Sequence, residues 1–458
     1  MLTRNGYLIS VENSAEIKRE LSVRPVFNEA IGIPAPSFKV FRSTKTSSLV
    51  VPRYYGIGKF GQASRDVRRD YTRAPGIVFS GHLRDATRQS EAFNAGVQAF
   101  EEQGGGVLSL PCGYGKTTVA LALSAHLKAR TMVVVHKEFL ANQWIEKIKE
   151  FCPGSTIGRV QGDTFDVDKD FVIAMIQTMS QREFETNAFD SIGLLVVDEA
   201  HHIGAPAFSQ FMFKICPKYT LGLTATPERK DGLTRLLYWF LGPEFFRIER
   251  TNQRTTKVVT LKYTCEAFKE APPVTRFGKL NMAGMVNIVA ELEDRNALIV
   301  KTVNDALGDN RRILVLSDRR EHCFELQRKI GSKAKLYIGG MKEEDLSESA
   351  KSPVVVATFQ LAHEGLDIPV LDTVILATPK SDIKQSIGRI MRETTGKLNN
   401  PLIYDIVDQW SVFFSMYHKR RKVYREGGFE IDDEPHEVKT EVFGKGRCLF
   451  NLHVTVAS

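Results

Sequence analysis

Val107-Leu108-Ser109-Leu110-Pro111-Cys112-Gly113-Tyr114-Gly115-Lys116-Thr117-Thr118 is the stretch on which the fold turns. Residues 107–110 read as a buried strand, and 118–127 read as a helix rich in Ala and Leu. Between them, Gly113 and Gly115 let the backbone curl so that its N–H groups face one point, the geometry that cradles phosphate. The partial positive charge of the helix N-terminus adds to it. Lys116 is placed to reach the outer phosphates, the Thr117 hydroxyl to ligate Mg²⁺, and Tyr114 and Thr118 to line the nucleotide. The pattern departs from GxxxxGK[ST] at position 110, where Leu replaces Gly.

Working outward, short β-rich runs alternate with helical stretches at 131–136, 171–176, 194–198 and 219–224. Continuous apolar runs such as Leu194-Leu195-Val196-Val197 suit strands covered on both faces of a parallel sheet. The alternation lapses near 250 and resumes at 312–316, 335–338, 354–357, 373–377 and 402–406. The expected fold class is therefore α/β, with two tandem doubly wound parallel-sheet lobes and a small mixed N-terminal domain. The expected boundaries are 1–80 for the N-terminal domain, 81–250 for the first lobe and 251–290 for a linker. The second lobe follows at 291–410 and a tail at 411–458.

Of the 458 residues 43% are hydrophobic and 25% charged, which excludes disordered and fibrous classes. The net charge is +8, and residues 1–80 hold 13 Lys/Arg against 6 Asp/Glu, a net of +7. That segment is either a phosphate-binding surface or a solvated basic one. Six cysteines show neither a CxxC pair nor a disulfide framework, so the expected setting is intracellular and reducing. No run approaches the roughly 20 apolar residues that span a bilayer.

Val196-Val197-Asp198-Glu199-Ala200-His201 closes an apolar strand. Ligands in open α/β sheets sit at the carboxyl ends of strands, which places Asp198 to hold Mg²⁺ and Glu199 to polarise the attacking water. In the second lobe, Gln385-Ser386-Ile387-Gly388-Arg389-Ile390-Met391-Arg392 spaces two guanidinium groups i, i+3 along one helix face.

Asp198-Glu199-Ala200-His201 resembles the DEAH-type Walker B motif of superfamily 2 helicases, whose two lobes are RecA-like. Leu221-Gly222-Leu223-Thr224-Ala225-Thr226-Pro227 resembles their motif III. The resemblance implies that His201, Thr224, Ala225 and Thr226 couple hydrolysis to nucleic-acid binding. Residues 385–392 resemble motif VI, which implies Arg392 as the arginine finger, Arg389 as a γ-phosphate contact and Gln385 beside the nucleotide. Thr358-Phe359-Gln360-Leu361-Ala362-His363-Glu364-Gly365-Leu366-Asp367 resembles motif V, with Thr358 on the nucleic-acid backbone and Gly365 and Asp367 near the nucleotide. Gln143-Trp144 resembles motif Ia. Gln177-Thr178 resembles a strand-contacting motif, with a turn or cap as the alternative role for Thr178. Gln89, upstream of the phosphate loop, is the candidate adenine reader. Glu228-Arg229-Lys230-Asp231 and Phe240-Leu241-Gly242-Pro243 resemble the XPB branch, where the first of these sits at the separating strands.

Val51-Pro52-Arg53-Tyr54-Tyr55-Gly56 looks like the N-terminal domain of helicases from large DNA viruses. Arg53 and its two tyrosines suit phosphate and base contacts, or else a packed aromatic corner with an exposed Arg. The resemblance implies an ATP- and Mg²⁺-dependent motor that acts as a monomer on duplex or single-stranded DNA, with RNA or a transcription complex as the other partners. No membrane partner is expected. Two rivals remain: a duplex translocase that displaces bound protein without unwinding, and a non-catalytic nucleic-acid scaffold.

Overall fold

The computed structural model describes residues 1–10, 14–25, 36–44, 48–111, 113–200, 205–225, 231–248, 255–364, 368–390, 397, 399–437, 441–443 and 447–449. The chain divides into two units, Met1–Glu249 and Arg250–Ser458.

The first unit is built on an eight-stranded sheet in the order Thr164–Phe165, Ile157–Gln161, Phe171–Met175, Thr131–Val135, Leu194–Val197, Tyr219–Thr224, Gly105–Ser109 and Glu244–Arg247. Every pairing is parallel except the edge pair Thr164–Phe165 with Ile157–Gln161. The central strands are buried along their whole length, which is why they read as mostly apolar runs. Ser109 pairs with Thr224, and Gly222 pairs with Val197. The carboxyl ends of Gly105–Ser109, Tyr219–Thr224 and Leu194–Val197 therefore lie side by side at one edge of the sheet.

The small antiparallel sheet of Leu2–Thr3, Gly6–Ile9, Leu49–Val51 and Arg42–Ser43 belongs to this same unit. Its apolar residues share one buried cluster with the lobe, and several side chains reach lobe carbonyls. Asn5 Nδ2 donates to Phe213 O at 2.8 Å, and Arg4 Nη1 donates to Thr186 O at 2.7 Å. Arg68 Nη1 donates to Pro217 O at 2.6 Å, and the Tyr55 ring meets Trp239 edge-on at 5.2 Å.

The second unit carries a wholly parallel seven-stranded sheet in the order Ala334–Tyr337, Val354–Thr358, Ile313–Ser317, Thr373–Leu376, Leu402–Asp408, Lys257–Tyr263 and Glu430–Glu437. The two-lobed parallel-sheet fold is thus as expected, but two segments differ from their assigned roles. The stretch read as a linker supplies Lys257–Tyr263, an inner strand between Leu402–Asp408 and Glu430–Glu437. The stretch read as a tail supplies helix Val412–Glu426 and the edge strand Glu430–Glu437. Their charged residues disguised them: Arg420, on that helix, is buried because its guanidinium meets Asp405 at 2.8 Å. Among the described residues no helix is long and apolar enough to cross a membrane.

Candidate nucleotide site

The phosphate loop leaves strand Gly105–Ser109 and enters helix Lys116–Leu127. Gly113 and Gly115 have φ of +86° and +83°, a region open to glycine at little cost. At Gly115 space is also short, since a Cβ there would lie 2.4 Å from Gln89 Nε2. Buried Gln89 ties the loop to the backbone at Arg84 through the two ends of its amide. Its Oε1 accepts from Arg84 N at 3.0 Å, and its Nε2 donates to Tyr114 O at 2.9 Å. The residue expected to read adenine is thus tied to backbone on either side and fixes the shape of the cradle.

Lys116 Nζ lies 3.5 Å from Glu199 Oε1 and donates to Leu110 O at 3.3 Å. Leu110 N in turn donates to Thr224 O at 3.0 Å. One residue of the loop therefore connects Lys116 to the end of strand Tyr219–Thr224. Glu199 has φ of +45°, a left-handed conformation that costs an L-residue roughly 1–3 kcal/mol.

Asp198 is buried, and its Oδ1 accepts from Glu199 N at 2.9 Å. Its Oδ2 accepts from the indole Nε1 of Trp144 at 2.8 Å. Burial, followed by the negative charge of Glu199 beside it, pushes the Asp198 carboxyl up to about 6. The indole N–H and Lys116 act against that rise. Trp144, on helix Glu138–Phe151, is the site residue that sequence reasoning missed. Its signal was present in the Gln143-Trp144 pair, but nothing in a linear sequence tells that a Trp 54 positions upstream meets the Asp.

The remaining expected residues divide three ways. Thr117 and Thr118 start the helix beside Lys116, half-buried, and buried Thr224 ends its strand with Ala225 following. Gln143 is half-buried on helix Glu138–Phe151. Thr178 Oγ1 accepts from Gly162 N at 2.9 Å, and Thr358 Oγ1 accepts from Leu361 N at 3.4 Å in the second unit. His201, Thr226, Arg229, Gly365, Asp367 and Arg392 lie outside the described residues, and Gln385 and Arg389 are described only as backbone of helix Lys384–Ile390.

Arg53 requires a correction. It was expected either on phosphates or as the exposed Arg of a packed aromatic corner, but it is 7% exposed. Its guanidinium donates to Lys218 O at 2.9 Å and Gln103 O at 3.2 Å, and lies over the Tyr54 ring at 4.8 Å. Tyr54 and Tyr55 are engaged in the same packing, through Thr220 at 3.1 Å and Glu20 at 2.8 Å. A guanidinium enclosed by carbonyls offers no face to a nucleic acid.

A glycine loop at a helix start, a lysine paired with a glutamate, and an aspartate ending the strand beside motif III define a P-loop ATPase lobe of the RecA type. The chain belongs to the superfamily 2 helicases, in the group found in large DNA viruses. Over 443 residues it is 32% identical to "Putative ATP-dependent RNA helicase L396" of Acanthamoeba polyphaga mimivirus, covering 92% of this chain and 84% of that protein. Over 375 residues it is 27% identical to "Putative helicase 161L" of Invertebrate iridescent virus 6, covering 76% and 82% respectively. Residues 82–229 match the family described as type III restriction enzyme, res subunit. A DNA-bound ATP-dependent type ISP restriction-modification enzyme, LlaBIII, is similar in fold, with a TM-score of 0.53 at 17% identity over 75% of this chain and 30% of that one. The protein is an ATP-dependent helicase-type ATPase.

Proposed function

We propose that this chain couples ATP hydrolysis to movement along nucleic acid. The carrying observation is the continuous chain Glu199–Lys116–Leu110–Thr224, which ties the hydrolytic pair to the motif III strand. In this arrangement Lys116 neutralises Glu199. A bound triphosphate competes for the Lys116 ammonium and leaves the Glu199 carboxylate to take a proton from the attacking water. Thr117 and Asp198 are the candidate Mg²⁺ residues. They fit, because burial makes Asp198 costly as an anion until a cation is beside it. Among the described residues no cluster of three or more His, Cys, Asp or Glu forms a protein-only cage. A cation shared between one or two protein oxygens and phosphate is the usual Mg²⁺ arrangement. When bound, Mg²⁺ offsets the charge that develops on the transferring phosphoryl group. Arg389 and Arg392 are proposed, from their resemblance to motif VI, as the γ-phosphate contact and the arginine finger, and such a finger contributes about 10³–10⁵ in rate.

Thr178, Thr358, Gln143 and Arg229 are the proposed track contacts. Phe240-Leu241-Gly242-Pro243 supports placing the chain near the XPB branch, with transcript release or DNA repair as the process. The track is proposed as DNA, and the name of the mimivirus relative puts RNA beside it. The test is the ATPase rate alone and with single-stranded DNA, duplex DNA or RNA. Stimulation by at least one track is expected, together with loss of turnover in Lys116→Ala and Glu199→Gln. A rate indifferent to every track, or untouched by both substitutions, sinks the reading. A strand-displacement assay beside a stalled-polymerase release assay separates unwinding from translocation.

A further inference from the structure

In the second unit, residues 274–280 form a tight β-hairpin with an exposed tip. Val274 bridges Leu280 in antiparallel register, and Thr275 N donates to Lys279 O at 2.6 Å. Gly278 N donates to Thr275 O at 2.9 Å, with Gly278 at φ of +71° to make the turn. The base is anchored. Asn281 N donates to Pro273 O at 2.8 Å, and Asn281 Oδ1 accepts from Gly284 N at 2.9 Å, which caps helix Met282–Glu291. That helix buries Met285, Val286 and Val289 against Trp410 and Phe413, and Arg319 holds it through Ala283 O and Asn287.

The tip is the opposite of its base. Arg276, Phe277, Gly278, Lys279 and Leu280 are all exposed. Phe277, at 73%, is the most exposed large apolar side chain among the described residues, and Val274 and Leu280 are 58% and 39% exposed. Bridged residues share one face of a hairpin, so those two form an apolar pair below the tip. Arg276 sits over the ring face at 4.8 Å, and Lys279 adds a second positive charge. No acidic residue occurs between Ala271 and Ala290.

An exposed aromatic ring in a stretch that carries basic but no acidic residues matches a polyanion that also presents flat π-faces. We infer that the 274–280 hairpin is a nucleic-acid contact in which Phe277 stacks on an unpaired base while Arg276 and Lys279 meet the adjoining phosphates. This rests on the motor reading above for the kind of partner, not for the geometry. A rigid base is what such a stacking platform needs, because the ring is then held without paying its ordering entropy at each encounter.

The test uses the full chain with a fluorescein-labelled single-stranded DNA, a blunt duplex and a 5-iodouracil-bearing single strand. Phe277→Ala is expected to weaken single-strand binding about 5- to 20-fold and to change blunt-duplex binding far less. Phe277→Trp restores the affinity, and melting curves for both variants check the fold. Arg276→Ala lowers the slope of log affinity against log salt by about 0.7. Photocross-linking labels Phe277 within a peptide spanning 274–280. Unchanged single-strand affinity in Phe277→Ala, a loss that Phe277→Trp does not restore, or cross-links confined to other segments overturns the assignment. Binding with no ATPase stimulation sinks the motor reading and leaves these measurements to judge the hairpin. A wild-type chain that binds no nucleic acid overturns both.

Discussion

The indole Nε1 of Trp144 donates a hydrogen bond of 2.8 Å to Asp198 Oδ2, and both side chains are buried. Helix Glu138–Phe151 thereby fixes the orientation of the carboxylate at the end of strand Leu194–Val197. With one oxygen held by the indole and the other by Glu199 N, Asp198 has no freedom to rotate away from an incoming cation.

Trp144→Phe keeps most of the ring volume and removes the donor. The expected result is a several-fold rise in the Mg²⁺ concentration for half-maximal ATPase, with a smaller change in KM for ATP. Loss of a bond to a buried carboxylate costs roughly 1–3 kcal/mol of stability. A Mg²⁺ titration of activity and a thermal melt read the two effects separately. Equal Mg²⁺ dependence in both proteins means that the indole serves packing alone.

Arg53→Ala separates structure from recognition. Its guanidinium donates to the carbonyls of Lys218 and Gln103 from a buried position. Removing it strands those acceptors, with an expected loss of about 2–4 kcal/mol in stability. Nucleic-acid affinity measured below the melting temperature stays within twofold of wild type. A large affinity loss in a fully folded variant contradicts the burial argument.

His322 makes the second unit sensitive to mild acid. Its Nδ1 faces Ser317 Oγ at 3.0 Å and its Nε2 faces Asn296 Oδ1 at 2.9 Å. Burial, and then the Arg295 charge, hold its pKa down at about 3. The unfolded chain takes up the proton near pH 6.5, while the folded chain resists it. Stability is therefore full above pH 6.5 and falls as pH drops from there toward 3, by about 2 kcal/mol at pH 5. Thermal midpoints at pH 7.5 and pH 5 check this, and His322→Gln is expected to flatten the difference. An equally steep drop in that variant assigns the acid sensitivity to other groups.

Arg295 and Asp408 form a bidentate pair at 2.7 and 2.9 Å with both side chains fully buried. The third arm of Arg295 donates to Ala377 O at 2.6 Å. Arg295→Ala leaves an uncompensated buried carboxylate, with an expected loss of about 3–5 kcal/mol. The double variant Arg295→Met with Asp408→Leu is expected to recover much of it. Urea unfolding of the single and double variants supplies the comparison, and additive losses would count against a coupled pair.

The central strands were legible because burial on both faces favours unbroken apolar runs, as in Leu194–Val197 and the first four residues of Ile313–Ser317. Lys257–Tyr263 was not legible, because its lysines interrupt the apolar run. Helix Val412–Glu426 was hidden for a related reason: a buried Arg looks like a surface Arg until its partner is known. Asp405, which accepts from Arg420 Nε at 2.9 Å and from Tyr424 OH at 2.7 Å, is that partner.

The sequence by itself determined the two α/β lobes, the phosphate loop and the chemical identity of Lys116, Asp198 and Glu199. These rest on local rules: periodicity, glycine conformations and strand-end placement within a few residues. Only the tertiary structure decided that Gln89 braces the loop, that Trp144 orients Asp198 and that Arg53 faces carbonyls rather than solvent. Each depends on a contact between residues 25 to 165 positions apart, which chain packing creates and no local pattern encodes.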